Sequence, residues 1–192
     1  MAGESQGSTA LPAWPVRLMA ELDVSDQRAK ELVDGLTLEQ LNRQPAAGAW
    51  SVGQCLEHLC IANEVYLPAI RDSLARKPVS PVQEITPGWF GRWFLRRYIE
   101  PSPQSTRATA PKKITPATQV EISVLERFLE GNQAFRKLVR QGGEFDVNRI
   151  RFRNPFVPLI RFTAGTGLEI LARHQVRHLL QAERAKQAIN KF

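Results

Sequence analysis

Cysteine and histidine are scarce in this 192-residue chain, which holds two of the first and three of the second. Long apolar stretches are missing too. No run reaches the roughly 20 residues that a membrane-crossing helix needs, so a membrane is not an expected partner. There is no glycine loop of the kind that cradles phosphate and no Cys-x-x-Cys pair, so nucleotide and disulfide chemistry are not expected. The opening MAGESQGSTA lacks a basic stretch followed by an apolar core. It reads as a short flexible tail over residues 1–12 rather than a secretory signal. Acid is absent where base is concentrated. Arg149, Arg151, Arg153 and Arg161 have no Asp or Glu among them, and neither do Arg92, Arg96 and Arg97. The net charge is +7. A basic balance raises the question of nucleic acid, but neither cluster matches a helix-turn-helix, a zinc finger or an aromatic RNA-stacking motif. Nucleic acid is therefore not the expected partner, and a basic rim that attracts an anionic small molecule is.

Cys55 and Cys60 lie on one expected helix. Their five-residue spacing turns the side chains roughly 140° apart around the axis, too divergent for an internal disulfide. The plainer reading is two small buried thiols in a reducing cytoplasm. The sharper one places Cys55, one turn before His58, near a metal.

What is present is enough apolar residue, 43% of the chain, for one domain with a sizeable core. The patterning is helical. Leu18, Leu22, Ser25, Ala29, Leu32 and Leu36 recur at three- and four-residue steps and predict a first helix from about Pro15 to Asp34, closed by Gly35. Thr37 to Gln40 has the form of a capping box, as does Ser51 to Gln54, which opens a second helix running to about Ala75 with Pro68 inside it. Prolines 78, 81, 87, 101, 103 and 111 deny a long helix to the segment that follows. A third helix is expected from Thr115-Pro116 to Gly142, lined by Val120, Val124, Phe128, Phe135 and Leu138. The stretch from Asn148 to Phe162 reads as extended. A fourth helix is expected from Thr163 or Thr166 to about Ala188, with Thr166 to Glu169 as another capping box. The short link between the first two helices and the moderate one between the last two favour antiparallel neighbours. The long link over residues 77–114 lets the second and third run parallel. The predicted fold is all-α, a four-helix bundle with an up-down-down-up path.

The three histidines then stand out. Leu168, Leu171, His174, His178 and Ala185 share one helical face, so His174 and His178 point inward about 6 Å apart along the axis. His58 is the one histidine left to join them, and it too sits beside an inner face. Three imidazoles without a strong fourth ligand describe an open metal site, with a position for water or substrate. The alternative is a set of core or rim histidines bonded to their neighbours. The pattern does not choose among zinc, nickel, manganese and iron. Gln54, one turn before His58, and Gln181, one turn after His178, are candidates to orient a ring or a bound water. Glu57 and Glu169 are candidate acids or bases, although a solvated face is the commoner fate of such residues. Arg177 is expected to point away from the ion. In residues 85–99, Trp89, Phe90, Trp93 and Phe94 interleave with the arginines. A crossover tucked against the bundle is the first expectation for this segment, then a lid or dimer contact, and last a lipid contact.

The segment LNRQPAAGAWSVGQCLEHLCIANEVY, with Pro45, Trp50, Ser51 and His58, resembles the DinB-like superfamily, as does RHQVRHLLQAER with His174, His178 and Gln181. The resemblance covers roughly residues 15–75 and 115–188. It implies a single four-helix-bundle domain, here over 13–192, with a long crossover, and often a homodimer. It also implies a divalent metal held by three histidines, which map onto His58, His174 and His178. Relatives of this kind include small-thiol S-transferases and a mycothiol-dependent isomerase. The expected function is thus a cytoplasmic, metal-dependent enzyme that joins a low-molecular-weight thiol to a small electrophile. A hydrolase using the same open ion, and a non-enzymatic stress-response or binding bundle, are the alternatives. The aromatic-basic crossover and the arginine-rich stretch before the fourth helix depart from the family pattern and leave substrate and partner open.

Overall fold

The computed structural model describes residues 10–75, 77–100 and 112–189; most of residues 1–12 lie outside this set. The protein is mostly helical. Among the described residues, four long helices, α1 (Ala13–Val33), α3 (Val52–Leu74), α5 (Val124–Gly142) and α6 (Ala164–Ile189), are joined by two short ones, α2 (Leu38–Asn42) and α4 (Trp89–Phe94). A π-helical turn, Leu95–Ile99, continues α4, and a 3-10 turn covers Lys112–Ile114. One small antiparallel ribbon, β1 (Arg151–Arg153) and β2 (Arg161–Thr163), pairs Phe152 with Phe162. No described helix is long and apolar enough to cross a membrane.

Local chemistry accounts for most helix ends. Gly35 takes φ +72° just past α1, the left-handed step that ends many helices. Thr37 and Ser51 each accept from the backbone N–H three residues on, while Gln40 and Gln54 reach back to the cap N–H. Both are complete capping boxes. One start and one capping box differ from expectation. Residues 115–123 are not helical, and α5 begins at Val124. Side chains from α2 and α3 satisfy that backbone instead: Asn42 bonds both the N–H and the carbonyl of Val120, Gln54 donates to the Ala117 carbonyl, and Glu57 accepts from the Ala117 N–H. With these polar groups taken, the segment gains nothing by winding into a helix. At α6 the cap is Thr163, whose hydroxyl accepts from Thr166 N–H. Glu169, expected to close a box with Thr166, is bound by arginines instead.

The four long helices neighbour one another as a ring: α3 lies against α5 and α6, and α1 against α5 and α6. Ion pairs between α1 and α6 advance together along both, Arg17 with Glu169 and Arg28 with Glu183. Between α1 and α5 the contacts run oppositely, since Trp14 faces Gly142 while Asp23 meets Arg136. The apolar interior has two parts. One gathers Trp14, Leu18, Tyr66, Ile70, Phe135, Phe152, Phe162 and Leu168. The other gathers Ala29, Leu41, Cys55, Leu56, Leu59, Phe128 and Leu179. Buried polar side chains, Asn63, Asn132 and Gln175, come from three helices and bond to one another.

Gly167 marks the tightest helix-to-ribbon approach. A Cβ there would stand 2.6 Å from the Phe152 ring and 2.9 Å from Ile70 Cδ1. Gly167→Ala therefore sets about 1 kcal/mol of helix propensity against overpacking of about 1–3 kcal/mol. A net loss of up to about 2 kcal/mol is expected in urea unfolding; a gain in stability would show that the ribbon shifts freely.

Candidate metal centre

His58 comes from the second turn of α3, and His174 and His178 come from the middle of α6. The two helices pack side by side, so the pair on α6 faces the single ring on α3. The three rings form a tight triangle with centroids 4.8, 4.5 and 4.5 Å apart. One ligand atom from each lies within 4.8 Å of the others. His58 and His178 are buried and His174 is partly exposed.

Hydrogen bonds fix which nitrogens face inward. His58 Nδ1 lies 2.6 Å from the Ile114 carbonyl, which can only accept. The proton is therefore on Nδ1, and Nε2 presents a lone pair. His178 Nδ1 likewise lies 3.0 Å from Gln181 Oε1, so its Nε2 is the free nitrogen. His58 Nε2 and His174 Nε2 approach to 3.1 Å, and with no ion between them the His174 ring supplies the shared proton. Two nitrogens on one ion at about 2.0–2.1 Å sit roughly 3.3–3.4 Å apart at the tetrahedral angle. The observed 3.1 Å is a few tenths of an ångström shorter. The third nitrogen lies within 4.8 Å of the other two. Among the described residues no carboxylate or thiol joins the cluster. A neutral all-imidazole set suits borderline divalent ions and leaves coordination positions open.

Burial is the main cause of the site's electrostatics. It lowers the pKa of His58, against the raising effect of the bond to Ile114. It holds His174 well below the ordinary range, helped by repulsion from His178, His58 and Arg177. His178 is brought down to about 3, by burial first and then by His58 and Arg177. All three rings are thus neutral at physiological pH, the state a metal ligand needs. The sign for stability follows. An unfolded histidine titrates near about 6.5, while native His178 resists protonation to about 3. Between those values the unfolded chain binds protons that the native one does not. Metal-free protein should therefore melt at progressively lower temperature as pH falls from about 6.5 toward 3. The double variant His174→Ala/His178→Ala should lose less over the same window; equal slopes would contradict neutral burial.

Gln181 meets the His178 ring through its side-chain oxygen. Gln54 acts one step further out. Its side chain holds the Ser51 N–H, the Gln44 amide and the Ala117 carbonyl, and so fixes the segment that follows the 3-10 turn whose Ile114 carbonyl orients His58. Gln181→Leu should weaken metal binding about 10–100-fold, the usual cost of losing a partner that orients a ligand. Competition with a chelating dye would measure it, and unchanged affinity would remove Gln181 from the site.

Other candidates fall outside the cluster. Cys55 and Cys60 are buried free thiols, and burial raises both pKa values to about 12, so neither is a nucleophile. Glu57 is committed to Ala117 and Arg127. Glu169 is not on a solvated face: it is 3% exposed and pinned between Arg17 and Arg173. Arg177 donates to the Tyr98 carbonyl rather than pointing at the rings. Two contributors carried no sequence signal of their role. Trp50 lays its indole against His58 and His178, with centroids 4.8 and 5.7 Å away. The Ile114 carbonyl is the other, and a backbone acceptor 56 residues from its partner leaves no mark in a residue pattern.

No curated protein and no solved structure gives a significant match to the chain. A family model described as the DinB superfamily matches residues 21–182. That span takes in all three histidines and most of the four long helices, and the chain belongs to the DinB superfamily.

Proposed function

We propose that the chain is a divalent-metal-dependent enzyme acting on a small molecule, with transfer of a low-molecular-weight thiol to an electrophile as its chemistry. The carrying observation is the convergence of three imidazole nitrogens whose opposite nitrogens are occupied or free to take the proton. An ion held by His58, His174 and His178 supplies Lewis acidity that makes a thiol or water a stronger nucleophile at neutral pH. The protein's own part is positional. Ile114 and Gln181 hold two rings in the ligating tautomer, Trp50 excludes water from one side, and Arg177 adds positive charge beside the pair on α6. That charge favours anionic substrates such as the carboxylates of a thiol cofactor.

The same reading includes a four-helix bundle with an up-down-down-up path, supported by the ion pairs that advance together between α1 and α6. It also includes a homodimer. The burial of His58 and His178 under Trp50 favours one second reading, a bundle whose metal is structural. Metal-loaded protein offered a set of small thiols and a reactive electrophile separates the readings. Thiol consumption that depends on both metal and protein supports the transferase. Thiol-independent ester or amide cleavage supports a hydrolase. Tightly held metal without turnover supports the structural reading.

A further inference from the structure

The surfaces of the hairpin and of the short helix α4 packed beside it carry apolar and basic side chains that the histidine site does not use. Trp89 is 77% exposed, Trp93 47%, and Leu159, in the hairpin loop, 96%. Their partners within the fold explain why. Phe90 and Phe94 turn inward and meet the Phe162 ring at 5.8 and 5.0 Å, which fixes α4 beside β2. The tryptophans of the same short helix are left in solvent. The ribbon's outer face reads Arg151, Arg153 and Arg161, all exposed, with Arg153 directly across from Arg161. None of the three has an ion-pair partner among the described residues. No acid occurs between Asp146 and Glu169. Like charges set opposite each other in a ribbon repel, and an external anion relieves that repulsion.

We propose that this face docks on an anionic lipid surface, with Trp89, Trp93 and Leu159 entering the headgroup layer and Arg151, Arg153 and Arg161 lying over lipid phosphates. Exposed tryptophan beside arginine is the chemistry of a membrane–water interface. Basic residues gain energy near an anionic leaflet. A second copy of the chain suits the face less well, because two-fold pairing would bring the arginines against themselves. Nucleic acid suits it less well because Leu159 can neither stack on a base nor bond a phosphate. Lipid contact ranks last for residues 85–99 read alone; the hairpin adds the exposed leucine and the unpaired arginines that change the order.

The test is co-sedimentation of the full, untagged chain with vesicles of phosphatidylcholine, with and without phosphatidylglycerol, at low and high salt. Binding is expected only to the anionic vesicles, weakening with salt, with a blue shift of tryptophan emission. Arg151→Gln/Arg153→Gln/Arg161→Gln should cut the partition about fivefold per arginine, or about 100-fold together. Trp89→Ser/Trp93→Ser/Leu159→Ser should abolish the blue shift while circular dichroism and metal content stay unchanged. The proposal fails if wild type ignores anionic vesicles, or if the arginine variant binds as well as wild type. It also fails if random-sequence DNA binds in preference to vesicles, or if the tryptophan variant only dissolves a dimer. Metal content and turnover are read separately, so neither failure is confused with that of the histidine site.

Discussion

Protein carrying His174→Ala and His178→Ala should purify with no bound divalent metal, where the wild type takes up about one equivalent, because one remaining imidazole cannot hold an open three-ligand site. The expected drop is from near-stoichiometric to undetectable by elemental analysis, on samples prepared without chelator or histidine tag. His58→Ala alone should lose most of the metal too. The pair on α6 survives it, but the ring whose tautomer is fixed by Ile114 does not. Circular dichroism should show the helices intact, since the buried rings are neutral and their loss leaves no buried charge unpaired. If the double variant keeps its metal, ligands other than these histidines hold it and the site assignment is wrong. If the wild type takes up no metal after exposure to zinc, nickel, iron and manganese, the rings are a buried hydrogen-bonded cluster and the enzymatic reading falls with them.

The second large effect is expected at Asn132. It sits fully buried between the two apolar halves of the interior and is the hub of the polar layer. Its amide nitrogen donates to Asp26 at 2.6 Å and to Gln175 at 3.3 Å, and its oxygen accepts from Gln175 at 2.6 Å and from Asn63 at 3.4 Å. Asn132→Ala strands the Gln175 and Asn63 amides without water, at about 1–3 kcal/mol per unsatisfied group. A small cavity adds to this, so the total loss should reach about 3–5 kcal/mol. Asp26 loses less, because Arg136 still donates to it at 2.7 Å. Urea unfolding would measure the loss. Replacing Asn63, Asn132 and Gln175 together by leucine should recover much of it, since a fully apolar layer leaves little unpaired. A cost below about 1 kcal/mol for Asn132→Ala would mean that water enters the layer and satisfies it.

The features legible in the sequence are those governed by near neighbours. Both capping boxes at Thr37 and Ser51 are three-residue patterns, and both form. The stripe on α1 from Leu18 to Leu32 is buried as its spacing requires. His174 and His178 face one way because a helix turn makes them do so, and the scarcity of histidine then pointed to His58 as their partner. What stayed hidden depends on contacts between distant residues. Pro116 suggested a helix start, but Asn42, Gln54 and Glu57 hold residues 117–120 in another form. Glu169 is read as solvated until Arg17, 152 residues away, is brought against it. The polar layer is invisible for the same reason, since each amide alone looks like an ordinary surface residue. Trp50 was conspicuous in the sequence, yet its place over two histidine rings belongs to the packing of the connector against α3 and α6.

The site joins near and far parts of the chain unequally. His174 and His178 come into line as soon as one helical turn forms, whereas His58 meets them across 116 residues of sequence. Closing so long a loop costs entropy that only the packed helices can return. In a refolding chain, helical content can therefore recover while the triangle of rings is still open. Capacity for metal becomes a clock for the last stage of folding, when α3 and α6 have found each other and Ile114 has come back to set the His58 ring.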